Sequence, residues 1–420
     1  MTSRMKRNTF QQSLHTVLAH SHPLAAEQVS FHEGLGRVLA ADVAATQDDP
    51  PAPKSAMDGF ALRAADTREA GAGRSVTLMY SEVVGAGHLA RGVVRKGRAM
   101  RLMTGALLPK GADAVVKQED TLPAGEGAFA IMQSLVSGEN VVPAGARMKK
   151  DEIALHAGEV ISPQGLGLLA SLNRNRLNVV RRPRVALLAL GDELVELGQP
   201  LQPGQLHVSN LYALEAKVAK YGGQPRRLGI AGDNPDLILR LLRPRLPDPE
   251  RLGDPLACEM LVSLGGSHGG DFDFAQHVLE ALGAKIQFRR TRLSLGGSTL
   301  FATLGRTLLF GLPGTPVPSL GAFELLVRPA LWRLAGRTEL AHPRLMARLT
   351  APVSAWNDAT CFSPGWLRFD EPGAPTVTPL RDRGVSGPRN GVLANALIEV
   401  PEGAEGLMAD QQVSVQWLGD

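Results

Sequence analysis

From Arg184 onward the apolar and polar positions alternate between two kinds of segment. VALLAL (185–190), ACEMLVSL (257–264) and TLLFGL (307–312) are short, nearly unbroken apolar runs, the pattern of strands buried on both faces. QPRRLGI (224–230) reads as a further strand. Between them NLYALEAKVAKYGG, PDLILRLLRPRL, FDFAQHVLEALG and PVPSLGAFELLVRPALWRLAG space their apolar residues three and four apart, as helices do. Strand and helix taken in turn predict a parallel α/β sheet.

Elsewhere the rhythm differs. The first 45 residues read as helix, turn and the approach to a strand, and ISPQGLGLLASLNR (161–174) reads as a helix from its Ser-Pro start. Between these, DDPPAPKSAMDG leads into a stretch where SVTLMYSEVV, GVVRKG and GADAVVKQED predict short strands of a β-rich domain. After residue 338 the helical pattern stops, and short apolar runs with Gly/Pro turns predict a final β domain.

Composition narrows the class. At 420 residues the chain exceeds a single core, so two to four domains are expected, multidomain α/β and β. No run of eighteen apolar residues is present and the basic first residues lead into no apolar segment, so neither a membrane span nor a signal peptide is expected. Cys258 and Cys361 are the only cysteines, which excludes a disulfide framework and a cysteine-rich zinc site and suits a reducing cytoplasm. The net charge of +4 is spread out rather than gathered in a basic stripe, so nucleic acid is not expected as a partner.

The chemistry is expected at one edge of the sheet. In open parallel sheets ligands bind beyond the carboxyl ends of the strands. VALLAL runs into Gly191-Asp192-Glu193-Leu194, ACEMLVSL into GGSHGGDFD (265–273), and TLLF into GLPGTP (311–316). Each alone could be an ordinary turn, with acids near a helix dipole worth about 0.3–1 kcal/mol or Pro and Gly shaping a tight corner. Together they predict one crevice. Its glycines let backbone N–H groups approach a phosphate, while its acids suit a hydrated Mg²⁺ bridging phosphate oxygens. Asp58 in KSAMDGFAL and Thr104 in RLMTGALLPKGADAVV are further polar candidates outside this block. There is no nucleophile elbow, and His268 reads as a solvent-exposed loop histidine rather than a base.

PKSAMDGFAL, RLMTGALLPKGADAVV, LGDELVELGQPLQPGQLHVSN, GDNPD, GGSHGGDFDF and FGLPGTPVPSLGAFELLVRPAL, in this order, resemble the MoeA/gephyrin family of molybdopterin molybdenumtransferases. The resemblance runs from about residue 10 to the IEVPEG segment. It implies a helical stalk domain from residues 1–45 and 150–180, with a β-rich domain (46–149) inserted. An α/β molybdopterin-binding domain of the MogA type (181–337) and a C-terminal β-barrel (338–420) would follow. It also implies a homodimer whose crevice is completed by the partner's β-rich domain. The implied reaction takes adenylylated molybdopterin and molybdate, with Mg²⁺, breaks the phosphoanhydride, releases AMP and leaves molybdenum on the dithiolene.

Carried over position by position, Asp58, Thr104, Glu193, Asp233 and Asp273 match the family's catalytic polar residues, with Asp58, Glu193 and Asp273 as metal ligands. Gly191, Asp192, Ser209, Asn210, Gly265, Gly266 and Gly270 match substrate-binding positions, as do Pro313, Gly314, Thr315 and Pro316. The chain departs from the family where Lys-Pro-Gly-Lys-Pro reads SLGGS, leaving Ser294 and Gly297 at the lysine positions. An expected Asp reads Arg147, PGNP reads PGTP, and a serine pair reads Arg389-Asn390. Two readings follow. Either the charge has moved, to Arg147 or to Arg289, Arg290 and Arg292, whose planar forks suit an oxyanion. Or the chain is a non-catalytic molybdopterin-binding paralogue that hands cofactor to a molybdoenzyme.

Overall fold

The computed structural model describes residues 8–232, 234–246, 257–265, 274–355, 359–369, 374–380 and 394–419. The chain divides into two compact units, one of Met1–Ala41, Gly158–Leu166 and Asn175–Asp420, the other of Asp42–Ala157 and Gly167–Arg174.

The smaller unit is built on a six-stranded sheet in the order Ala114–Lys117, Gly59–Leu62, Arg98–Leu102, Val76–Val84, Ala128–Ile131, Thr121–Pro123. Strand alternation sends Phe60 and Leu62 to one apolar cluster and Ala61 to another. Phe60 stacks on Phe129 at a centroid distance of 4.0 Å. GVVRKG, expected as a strand, is a turn instead. Val94 is buried, but its amide donates to Lys110 O rather than to a ladder, and Gly97 at φ 72° reverses the chain before the strand begins at Arg98.

The larger unit holds the expected parallel strands, Gln224–Ala231, Arg184–Leu190, Met260–Leu264 and Thr307–Leu312, side by side in that order. Val185, Leu187 and Ala189 face one core with Leu211, Leu214 and Val218 of helix Ser209–Lys220. Ala186, Leu188 and Leu190 face the other with Ile238 and Leu242 of helix Pro235–Leu242. Both faces are therefore covered, which is why the central strand carries no polar alternation. The sheet also continues into two antiparallel strands, Leu300–Leu304 and Lys285–Phe288. A two-residue turn with Gly305 at φ 56° returns the chain from Leu304 to Thr307.

Helix Phe10–Ala19 starts with a capping box between Thr9 and Gln12. Among the described residues of 1–45 and 150–180, helical structure is confined to this element and Pro163–Ser171, apart from one short 3-10 turn. The alternating RLNVV (176–180) pairs antiparallel with Ala26–Ser30. A closed five-stranded barrel ends the chain: Arg344–Leu349, Thr376–Pro379, Cys361–Arg368, Ala396–Val400 and Gln412–Trp417. Closure leaves no open edge, and Val377, Ile398, Val400 and Val415 fill its centre. Among the described residues, no helix is long and apolar enough to cross a membrane.

Candidate active site

Strand register sets the crevice. Leu190 pairs with Ala231, Ala189 with Leu264, and Leu264 with Leu312, so the loops after these strands leave from one rim. Gly191 N donates to Ala231 O at 3.2 Å and Gly265 N to Leu312 O at 3.0 Å. The glycines here are positions that cannot take a side chain. A Cβ on Gly191 (φ 146°) would lie 2.5 Å from Glu193 Oε2, and one on Gly265 (φ 87°) 2.4 Å from Leu190 O. Asp192 Oδ1 similarly occupies the space beside Gly232, 2.3 Å from where a Cβ would be. Two exposed carboxylates, Asp192 and Glu193, are thus folded back against bare backbone.

The chain then makes an excursion in which Leu194–Val195 pairs with Leu206–His207, and returns at Ser209 to begin a helix. Asn210 Nδ2 donates to Gly314 O at 2.6 Å, joining the helix start to the third rim loop. Ser209 Oγ lies 3.5 Å from Asn210 Oδ1. Pro313 is buried while Gly314 and Thr315 are exposed, and Pro316 is the first residue of the next helix. The structure therefore gathers Gly191, Asp192, Glu193, Ser209, Asn210, Gly265 and Pro313–Pro316. Asp233, Gly266, Gly270 and Asp273 lie outside the described residues, as do His268, Arg389 and Asn390.

Asp58 and Thr104 form a cluster of their own in the smaller unit. Asp58 Oδ1 accepts from Thr104 N at 2.6 Å and from Thr104 Oγ1 at 2.8 Å. The Thr104 amide first, then its hydroxyl, hold the Asp58 carboxyl below the usual carboxylate range, with a smaller pull from Arg101. Gly59 is obligatory beside it, because a Cβ would lie 1.9 Å from Val116 O.

Ser294, Gly297 and the candidate arginines Arg292, Arg289 and Arg147 are each held by their surroundings. Ser294 Oγ donates to Phe362 O at 3.1 Å and accepts from Phe362 N at 2.9 Å, fastening this position to the barrel. At Gly297 a Cβ would lie 2.5 Å from Leu293 O, so no longer side chain fits without moving backbone. Arg292 Nη2 lies 2.6 Å from Glu402 Oε1. Arg289 faces Glu280 at 4.0 Å, and Arg147, largely exposed, faces Asp49 at 3.9 Å in the smaller unit. Beside Ser294 a cleft of about 920 Å³ runs between Val317-Pro318 and the barrel. Phe362, Leu407 and Met408 line it, and Glu405 is the one charged residue among its described lining. Among the described residues no group of three or more His, Cys, Asp or Glu is placed to hold a metal ion.

Three family models match in succession. They are the MoeA N-terminal region (domain I and II) at residues 8–173, a probable molybdopterin binding domain at 186–333 and the MoeA C-terminal region (domain IV) at 346–418. A molybdopterin molybdenumtransferase of Staphylococcus epidermidis is 31% identical over 92% of this chain and 90% of its own length. The chain belongs to the MoeA family. A molybdopterin molybdenumtransferase of Staphylococcus aureus is 28% identical over 98% of the chain and 96% of its own length. Among solved structures, a MoeA protein of Pyrococcus horikoshii superposes with a TM-score of 0.85 at 28% identity, covering 99% of this chain and 100% of its own. A second from that organism gives 0.82 at 25% identity, covering 98% and 100%. The multidomain MoeA fold, closed C-terminal barrel included, is the one the motifs implied.

Proposed function

We propose that this MoeA-family chain acts in molybdenum cofactor biosynthesis as a molybdopterin molybdenumtransferase. It takes adenylylated molybdopterin and molybdate, cleaves the phosphoanhydride, releases AMP and leaves molybdenum on the dithiolene. The observation that carries this reading is the rim, where Gly191 and Gly232 leave room for the Glu193 and Asp192 carboxylates and the Gly314 turn lies against Gly265. The exposed Gly314-Thr315 turn is the part of the rim that offers backbone N–H groups to phosphate, and Asn210 holds the turn in place.

The donor set suits Mg²⁺, a hard cation held through one or two carboxylates plus substrate phosphates rather than by a closed protein cage. Glu193 is the carboxylate assigned to it at the rim. Glu193 would hold such an ion against the substrate phosphates, where it would supply positive charge to offset that of the pyrophosphate. Separately, in the smaller unit, Asp58, ionised and fixed by Thr104, keeps a second oxygen outside those two hydrogen bonds and is a candidate of its own. The functional assembly is a homodimer.

A second reading rests on Gly297, Ser294 and Arg292. The first has no room for a lysine, the second is bound to the barrel, and the third faces Glu402. These features favour a paralogue that holds molybdopterin without inserting metal and passes cofactor to a molybdoenzyme. Incubation with adenylylated molybdopterin, Mg²⁺ and molybdate separates the two. AMP release supports the transferase, tight pterin binding without AMP release supports the paralogue, and absence of binding overturns both.

A further inference from the structure

The two helices that deliver rim residues are joined at two levels. At the rim, Asn210 on one meets the Gly314 carbonyl that precedes the other. About 10 Å further along the first helix, at 1.5 Å per residue, comes a second junction centred on Glu324, a carboxylate only 2% exposed. Glu324 Oε1 accepts from Lys217 Nζ at 2.5 Å, and the Tyr221 hydroxyl lies 3.0 Å from both carboxylate oxygens. His342 Nε2 is 2.9 Å from Oε2, and Arg328 Nε, one turn on, is 3.3 Å from it. Since the acceptor is a carboxylate, Nε2 of His342 carries the proton.

Burying a carboxylate costs several kcal/mol unless its lone pairs are all met, and here Lys217, Tyr221 and His342 meet them, while Arg328 Nε donates to the Glu324 main-chain carbonyl and adds its charge alongside. Burial pushes the Glu324 carboxyl up, but the His342 hydrogen bond and the Lys217 charge outweigh it and bring it down to about 2. Burial and the Glu324 charge push the Tyr221 hydroxyl up, so it stays a donor. Glu324 also sits in a π turn, Phe323–Val327, inside the helical run from Pro316 to Leu334. One extra residue in a turn rotates everything beyond it by about 100° relative to a regular helix. The turn thus sets how the start of the helix faces the rim while Arg328 and Trp332 face Tyr221.

We infer that Glu324 is a positioning residue for the rim: standing on one helix and bound to Lys217 and Tyr221 of the other, it fixes the height and rotation at which Asn210 meets the Pro313–Thr315 turn. The inference rests on the proposed function only for the identity of the ligand. Its test uses the full chain with Glu324→Gln, Lys217→Met and their combination. Arg37→Gln serves as control, breaking the pair between buried Arg37 and partly exposed Glu27 elsewhere in the same unit. The readouts are the side-chain amide resonances of Asn210 and the affinity for adenylylated molybdopterin.

Glu324→Gln should shift the Asn210 amide and weaken binding about tenfold, with Lys217→Met acting in the same direction and the pair adding less than the sum of the singles. Arg37→Gln should lower the melting temperature and leave both readouts in place. An unmoved Asn210 resonance in Glu324→Gln, or an equal shift in the Arg37 control, overturns the inference. Wild-type protein that neither binds nor turns over the pterin defeats the functional proposal alone, because the Asn210 resonance still decides the role of Glu324.

Discussion

Arg292 and Glu402 are joined across the α/β domain and the barrel by a 2.6 Å ion pair, each side chain about one third exposed. If Arg292 serves as the oxyanion seat, Glu402 competes with molybdate for it. Glu402→Gln should then lower the molybdate concentration at half-maximal AMP release, and Arg292→Ala should raise it. A partly exposed pair of this kind is worth up to about 1 kcal/mol, so a change of roughly fivefold is expected. Identical molybdate curves for both variants and wild type would remove Arg292 from the chemistry.

Restoring lysine should harm the protein. Gly297→Lys forces a Cβ to 2.5 Å from Leu293 O, and Ser294→Lys deletes a hydroxyl that both donates to and accepts from Phe362. Each should cost about 1–3 kcal/mol, read as a lower urea midpoint with an unchanged slope. A Gly297→Lys protein as stable as wild type contradicts the crowding.

Asn210→Ala removes the hydrogen bond to the Gly314 carbonyl and little packing. Adenylylated molybdopterin should bind about five- to tenfold more weakly, with the melting temperature within a degree or two. Calorimetric titration checks this, and undiminished affinity counts against the rim as the phosphate cradle.

Acid should weaken the Glu324 junction in two stages. Glu324 has its pKa depressed from 4.5 to about 2, so its contribution is present above 4.5 and fades as pH falls toward 2. That contribution is of the order of 3 kcal/mol. His342 is held below 6.5 chiefly by burial, so it opposes folding progressively once the unfolded state begins to protonate below that value. Denaturant midpoints followed from pH 7 to pH 3 should fall steadily. Glu324→Gln, already less stable at pH 7, should lose less over the lower half of the range.

The strands of the α/β domain were legible because they are buried on both faces and therefore unbroken in the sequence. Lys285–Phe288, a four-residue edge strand, went unread because it offers no comparable run, and the apolar LFATL of Leu300–Leu304 went unread as the first arm of a hairpin. GVVRKG misled for the opposite reason, its two valines suggesting a ladder where only Val94 is buried. The common edge of the rim loops followed from the strand-end rule. The Asn210–Gly314 bond did not, because it joins positions 104 residues apart. Glu324 left one trace, a carboxylate inside the apolar stretch FELLV, with no sign of the four partners that receive it.

The crowding at Gly297 also gives the change at this position a direction. A lysine can give way to glycine and leave only space behind. Once the Leu293 carbonyl has closed into that space, the reverse step needs the backbone to withdraw first. A positive charge is therefore more easily introduced by lengthening a side chain at another position than by placing one at Gly297.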